Sequence, residues 1–433
     1  MEKIGLVSLG CAKNLIDSEI ILGMFNRVNY HIVNHPEEAD LIIVNTCGFI
    51  SDAKKESIDA IFQMAAYKKP LVVIGCLVER YYEDLKKALP EADLLVRIKD
   101  YPKLHLMVEQ LTNGRIKPAP FDPYYRLMST QDYSAYLRIS EGCNHRCSYC
   151  AIPLIRGKLK SRPLEEILIE ANVLKNKGVK EIIIIAQDTT SYGYDLGQKD
   201  YLIVLLKELL KIKEFLSIRL LYLYPEEISD ELINLFKENK ALMPYFDIPL
   251  QHASNRILKL MNRASTKEEV VKLINKIRKE IPHAIIRTTF IVGFPSETEE
   301  DFLQLVDFTK LIKFNHLGVF PYSQEEDTPS YDLSEQVDEK VKLRRLNELI
   351  EVQKKISYRN NTKIVGRVMD GFIIHADQKN KTYRVRTYFN APDDVDGRIT
   401  LTSKKRLVLG QYVKIRIIAP FVYDLYAELF EEH

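Results

Sequence analysis

Three cysteines stand in one short run, Cys143-Asn144-His145-Arg146-Cys147-Ser148-Tyr149-Cys150. Thiolates at this spacing can wrap one inorganic cluster from a single loop. A cubane 4Fe–4S cluster normally takes four thiolates, one per iron, so three leave one iron open. An open iron can chelate the amino and carboxylate groups of S-adenosylmethionine. An electron passed into the sulfonium then yields a carbon radical, chemistry that belongs to the cofactor while the protein orients it and excludes water. The other chemistry open to this loop is a zinc site with His145 as fourth ligand. Zinc sites more often pair Cys-x2-Cys with a second distant pair, and this sequence has none.

The other cysteines are Cys11, Cys47 and Cys76. They are far apart in sequence, yet each follows a run that reads as a strand: Ile4–Leu9, Leu41–Asn45 and Leu71–Ile74. Between these runs lie helical patterns. Ile16, Ile20 and Met24 recur at helical spacing; Ile58, Ile61, Phe62 and Ala65 share a face after a candidate cap at Ser51; a third helix is expected at Tyr81–Leu89. Alternation of this kind implies a parallel sheet with helices on both faces. In such a sheet the strand C-termini share one edge, where ligands bind, so the thiols should converge there. A second cluster with an open iron is one reading. Unrelated buried cysteines, or a redox or sulfur-carrying thiol, are the others.

Pro118, Pro120 and Pro123 mark a stretch without periodicity that reads as a linker. Alternation resumes at Tyr136–Ser140, with strands expected near Glu181–Ala186, Ser217–Tyr222, Tyr245–Ile248, Ala284–Val292 and His316–Phe320. Helical patterns separate them at 164–177, 201–211, 229–239, 266–280 and 297–312. That is too few units for a full eight-fold barrel, so a partial (β/α)6 barrel is expected. Ser334–Asn361 reads as a helix with Leu343, Leu346 and Ile350 inward. Beyond it, Tyr383–Phe389, Arg398–Thr402 and Gln411–Ile418 alternate as strands between turn-rich interruptions, the pattern of a small antiparallel β-barrel. The fold class is therefore α/β multidomain, divided as 1–115, a linker at 116–132, 133–330, a connecting helix at 331–361, and 362–433.

The 433 residues carry 62 Lys and Arg against 60 Asp and Glu, a formal charge of +2. A generic nucleic-acid coating protein works by neutralising phosphates and would be far more basic. No apolar run reaches the ~18 residues of a membrane helix. The opening MEKIGLVSLG lacks a signal peptide's apolar segment. The sequence reads as a cytosolic monomer, where cysteines serve as metal ligands or redox groups more than as disulfides.

The run Cys143–Cys150, just after a strand that opens a βα array, resembles the cluster motif of the radical S-adenosylmethionine superfamily. With the N-terminal cysteines and the C-terminal barrel, the whole chain resembles the methylthiotransferases. That resemblance implies an N-terminal domain with a second 4Fe–4S cluster on Cys11, Cys47 and Cys76, a radical domain with its cluster on Cys143, Cys147 and Cys150, and a β-barrel called TRAM. It also implies two uses of S-adenosylmethionine, one for the methyl group and one for the radical. The tRNA-modifying branch typically carries Gly-Cys-Gln-Met-Asn at its first cysteine. Here Ser8-Leu9-Gly10-Cys11-Ala12-Lys13-Asn14-Leu15-Ile16-Asp17-Ser18-Glu19 is similar to the SLGCxKNLVDSE of the ribosomal-protein branch. Ser140-Glu141-Gly142, Ala186-Gln187-Asp188-Thr189 and 391–397 also resemble that branch. Ala12 and Ile16 depart from its usual Pro and Val, and neither supplies a ligand. The implied substrate is the β-carbon of an aspartate in small-subunit ribosomal protein twelve, free or within the ribosome, with an electron donor and sulfur source besides.

Further candidates follow from the resemblance and from strand ends. Tyr149 would pack near the cofactor. Gln187 and Asp188 could take the methionyl amino group or simply cap a turn. Arg287 could face the cofactor carboxylate or form a salt bridge. His252 could move a proton or be structural, and Gly293-Phe294-Pro295 with Glu297 fits a cofactor approach or a tight turn. Lys158, Lys160 and Arg162, and Lys404-Lys405-Arg406, could meet an acidic substrate or ribosomal RNA, or be solvated turns. The N-terminal strand edge should face the barrel mouth, with the C-terminal barrel recognising substrate. Two rivals remain: a methylthiotransferase acting on tRNA adenosine, and a metal-stabilised RNA- or ribosome-binding protein without catalysis.

Overall fold

The computed structural model describes residues 2–129 and 131–430. Met1 and 431–433, at the outer limits of the first and last expected domains, and Thr130 of the expected linker lie outside the described residues.

The N-terminal unit is a five-stranded parallel sheet of β1 (Lys3–Ser8), β2 (His31–Val33), β3 (Leu41–Thr46), β4 (Leu71–Gly75) and β5 (Leu94–Val96), in the order β2-β1-β3-β4-β5. Strands β3 and β4 are buried along their whole length, as continuous apolar runs in a parallel sheet should be. The first two helices fall where periodicity placed them, at Ala12–Asn26 and Ser51–Ala65. Ile50, not Ser51, occupies the cap position of the second. The third begins directly at Cys76 rather than at Tyr81, and non-helical angles at Tyr81 kink it. That kink explains why only its second half shows helical spacing.

The central unit carries β6 (Ser134–Arg138), a short antiparallel pair β7 (Ser140–Glu141) and β8 (Lys160–Ser161), then β9 (Glu181–Ile185), β10 (Ser217–Leu220), β11 (Tyr245–Asp247), β12 (Ile285–Val292) and β13 (His316–Pro321). Two parallel sheets, β10-β9-β6 and β11-β12-β13, are joined by a bridge between Ile218 and Leu242, giving a six-stranded open barrel. Alternate residues face opposite ways. Ala135, Leu137, Ile182 and Ile184 pack against the surrounding helices, while Tyr136, Ile183, Ile185, Leu221, Tyr245 and Ile285 face the concave side.

The connecting helix, Glu339–Lys363, buries Lys342, Arg345, Leu349, Gln353 and Ile356 and leaves Leu343 exposed. The expected inward face is therefore rotated. Ion pairing takes the place of apolar contact on it: Arg345 reaches Glu297 at 3.0 Å, and Lys342 donates to the carbonyl of Tyr322 at 3.2 Å.

The C-terminal unit is a closed barrel of β14 (Val368–Asp377), β15 (Thr382–Thr387), β16 (Ile399–Thr402), β17 (Tyr412–Pro420) and β18 (Leu425–Leu429), ordered β14-β15-β16-β18-β17. One pairing, β16 with β18, is parallel, so closure is not purely antiparallel. Its apolar interior is continuous with the concave residues of the central barrel. Arg386 pairs with Glu181, Arg219 donates to the carbonyl of Thr387 at 2.8 Å, and Tyr245 donates to Asp396 at 2.5 Å.

The proline-rich connection is clamped rather than loose. Arg126, 2% exposed, pairs with Glu19 at 3.1 Å and Glu170 at 3.2 Å, tying the first two units together.

Candidate active site

The loop carrying Cys143, Cys147 and Cys150 leaves the mouth of the central barrel immediately after β7. Gly142 starts it with φ +69°, and a Cβ there would lie 2.1 Å from the carbonyl oxygen of Lys158, so only glycine fits. Backbone bonds hold the loop: Cys143 N–H donates to Gly157, Ser148 N–H to Met261, and Cys150 N–H to Cys147. Beside Cys147 stand the Tyr224 hydroxyl, 3.7 Å from its sulfur, and Arg263, whose guanidinium lies 3.9 Å from the sulfur and 4.2 Å from the Tyr224 ring. Burial pushes the Cys143 thiol up to about 11 and the Cys150 thiol up to about 12. Thiolates at such positions need positive charge nearby. Arg263 supplies part of it, and bound metal would supply the rest.

His145 is committed elsewhere. Its Nε2 lies 2.7 Å from Asp188, and its ring stacks on Tyr224 with centroids 3.9 Å apart. Asp188 in turn accepts from Thr190 N–H at 2.9 Å and from the hydroxyls of Thr190 and Ser191. Asp188 therefore holds the cysteine loop. Its neighbour Gln187 differs: its amide nitrogen donates to Glu141 at 3.4 Å, while its buried Oε1 has no partner among the described residues. A buried carbonyl oxygen without a donor is costly and suits an incoming ammonium group. Tyr149 packs on Ile257, Met261, Phe294 and Tyr322, beneath the loop. Arg287 is taken by two carboxylates, Asp247 at 2.9 Å and Asp396 at 3.2 Å. His252 is buried, its Nδ1 accepting from Ser254 N–H, with Glu297 3.7 Å from Nε2. Glu297 accepts from the backbone of Gly293 and Phe294. A Cβ at Gly293 would meet Lys342 at 2.2 Å, so the connecting helix, rather than a ligand, demands that glycine. Lys158, Lys160 and Lys404–Arg406 are exposed, and Arg162 pairs with Glu170 at 2.6 Å.

The second group assembles at the C-terminal edge of the N-terminal sheet. Asn14 is its hub. Its Nδ2 donates to Leu9 at 3.1 Å and Thr46 at 2.9 Å, pinning the ends of β1 and β3, and its Oδ1 accepts from Cys76 at 3.2 Å. Gly10 has φ +89°, and a Cβ there would lie 2.9 Å from Cys47 Cβ, which brings the Cys11 turn onto Cys47. Burial raises the Cys76 thiol to about 11, against the opposing charge of Arg156, with Cys11 and Cys47 adding to the rise. Sequence reasoning missed Arg156. It lies in the helix that follows the Cys143–Cys150 loop, yet it donates to Cys76 Sγ at 3.4 Å and to Asn14 Oδ1 at 2.6 Å, and pairs with Asp17 at 2.8 Å. Asp17 also pairs with Arg138 at 2.6 Å. The two cysteine groups thus face each other across one domain boundary.

Among the described residues, no three His, Cys, Asp or Glu side chains converge as closely as a single metal ion requires. The fit to iron–sulfur clusters rests instead on the donors: three thiols in each group, one buried arginine beside each, and His145 engaged by Asp188. Tyr224 and Arg263 also escaped the sequence reading, as did the linking role of Asn14. Asn14 alone was signalled, as part of the quoted motif.

Comparison with known proteins then settles the family. The chain is 46% identical to the ribosomal protein uS12 methylthiotransferase RimO of Caldicellulosiruptor saccharolyticus over 99% of this chain and 100% of that protein. It is 46% identical to the RimO of Clostridioides difficile over 100% of both. The chain belongs to the RimO family. The Radical SAM superfamily profile matches residues 137–309, the TRAM domain profile 365–430, and that of the uncharacterized protein family UPF0004 residues 3–97. Among solved structures, the radical S-adenosylmethionine methyltransferase TsrM of Kitasatospora setae, with cobalamin and a [4Fe-4S] cluster bound, superposes with a TM-score of 0.56 at 14% identity, over 76% of this chain and 77% of that one. At that identity the likeness is one of fold. Among the described residues of this RimO-family chain, no helix is long and apolar enough to cross a membrane.

Proposed function

We propose that this chain installs a methylthio group on the β-carbon of an aspartate in ribosomal protein uS12, using S-adenosylmethionine and two 4Fe–4S clusters. Cys143, Cys147 and Cys150 hold one cluster, and Cys11, Cys47 and Cys76 the other. Residues 133–330 form the radical domain, 1–115 the domain of the second cluster, 116–132 the linker, 331–361 the connecting helix and 362–433 the TRAM barrel. The observation that carries the reading is Arg156, which starts in the first cysteine loop's own helix and ends on Cys76 of the second group.

When bound, these groups supply radical-forming power, sulfur and a methyl group. The protein's own residues do the rest. Gln187 Oε1, buried without a partner among the described residues, would accept from the methionyl ammonium. Asp188 fixes the cysteine loop through His145. Arg263 and Arg156 offset thiolate charge in low dielectric. Both flanking domains pack on the central barrel, the arrangement that would keep water from a reactive radical. Unactivated C–H chemistry also needs the acceptor carbon held close to both cofactor sites.

The chain acts as a monomer on uS12, with an external reductant and sulfur source. Mass spectrometry of ribosomal proteins from a deletion strain tests the reading. uS12 should lose the mass of one methylthio group while tRNA methylthio nucleosides persist. Loss of a tRNA nucleoside with unaltered uS12 would overturn it.

A further inference from the structure

Among the described residues, Lys13 is a buried cation without a carboxylate partner. It is 8% exposed. Its ammonium donates to the carbonyl of Ala186 at 3.1 Å and lies 3.8 Å from the centre of the Tyr222 ring. Among the described residues, no carboxylate pairs with it. An ammonium has three N–H donors, and the carbonyl takes one of them. Burying a charge against neutral groups alone is costly. Other buried cations along this interface have carboxylate partners: Arg138 and Arg156 share Asp17 and Glu141, Arg126 pairs with Glu19 and Glu170, and Arg80 with Glu325.

Its position is specific. Lys13 lies two residues beyond Cys11, on the N-terminal domain, yet its head group reaches the end of β9 of the central barrel, one residue before Gln187. Tyr222, past the end of β10, holds a left-handed backbone (φ +61°), an unusual conformation for an aromatic residue. Its N–H donates to Asp247 at 3.0 Å and its carbonyl accepts from Thr189 at 3.0 Å, which fixes the ring under the ammonium. Strain of this kind, held by surrounding bonds, is a mark of functional positions. The remaining N–H groups of Lys13 thus stand beside the strand end that leads into Gln187, on the segment that carries Cys11.

We infer that Lys13 is a substrate-binding residue whose ammonium receives the side-chain carboxylate of the acceptor aspartate at the barrel mouth. This rests on the uS12 reading above. The carboxylate lies one bond from the carbon to be modified, so a fixed cation there would set both recognition and reach. A charge-assisted bond of this type discriminates by about tenfold or more against a neutral isostere.

The test uses the full-length holoenzyme, reconstituted without oxygen, and fluorescent synthetic peptides spanning the uS12 acceptor, one with Asp and one with Asn at that position. Binding is read by anisotropy with saturating S-adenosylmethionine; affinity for S-adenosylmethionine is read separately by equilibrium dialysis. The wild type should bind the Asp peptide about tenfold tighter. Lys13→Met should abolish that preference, and Lys13→Arg should keep most of it. An Asp preference surviving in Lys13→Met overturns the assignment, as does equal binding of both peptides by the wild type. Lost affinity for S-adenosylmethionine with the Asp preference retained also overturns it, by assigning Lys13 to the cofactor's carboxylate. Methylthiolation of neither peptide by the wild type, with uS12 unmodified in the cell, overturns the functional reading and this inference with it.

Discussion

Arg156 and Cys76, 80 positions apart in sequence, meet at 3.4 Å from opposite sides of a domain boundary. The guanidinium is the physical link between the cysteine groups. Its replacement by Met should lower iron bound at the Cys11–Cys47–Cys76 group and spare the other. Iron per chain and electron paramagnetic resonance of anaerobic protein read the outcome. The stability cost should fall below the ~3–5 kcal/mol of stranding a buried partner, because Arg138 still pairs with Asp17.

A second clamp closes the far side of the same boundary. Arg80 pairs with Glu325 at 2.8 Å, both side chains 2% exposed, with Lys54 3.0 Å from the same carboxylate. Arg80→Ala should cost less than the ~3–5 kcal/mol of stranding a buried partner, because Lys54 still reaches Glu325, and lower the melting temperature by a few degrees. Scanning calorimetry, with limited proteolysis of the N-terminal domain, checks this.

Gln187→Ala should weaken S-adenosylmethionine binding about tenfold, the worth of one hydrogen bond to a charged group. Equilibrium dialysis of the reconstituted protein measures it. Unchanged affinity would remove Gln187 from the cofactor site.

The seat of the C-terminal barrel should loosen in acid, in two stages. Burial lowers the His316 imidazole below its ordinary value, so its neutral form is the folded one. A base lowered on folding contributes stability above its unfolded value, and that share is lost below about pH 6.5. Burial raises the Asp396 carboxyl, but the charge of Arg287, bonds from Tyr245 and Ala391, and the charge that His316 takes on as it protonates outweigh this and hold it low. Its contribution is present above about pH 4 and disappears as the pH falls further. Hydrogen exchange of residues 391–402 across pH 7 to 3 should show both steps.

Removing residues 362–433 should not leave a soluble enzyme with impaired recognition only. It would bare Tyr136, Ile183, Ile185, Leu221, Tyr245 and Ile285, which share a core with the removed barrel. Aggregation, read by light scattering, is expected, along with loss of S-adenosylmethionine cleavage.

The cysteine placement was legible because strand ends are written in apolar runs, and a parallel sheet turns three such ends into one edge. The six barrel strands were legible for the same reason. Short edge strands such as His31–Val33 carry too few residues to show a period. The face of the connecting helix was hidden because Lys342, Arg345 and Gln353 are buried through hydrogen bonds and ion pairs, which hydrophobicity cannot register. Arg156, Arg263 and Lys13 look like ordinary surface cations in sequence. Their roles arise from partners more than a hundred residues away, or in another domain.

The continuous interior of the two barrels has a consequence for biogenesis. The half-barrel made midway through translation has no lid for its hollow side until the last strands emerge and fold onto it. On this packing, a chain released before the barrel of 368–429 has folded would offer its cofactors an open, wet cup.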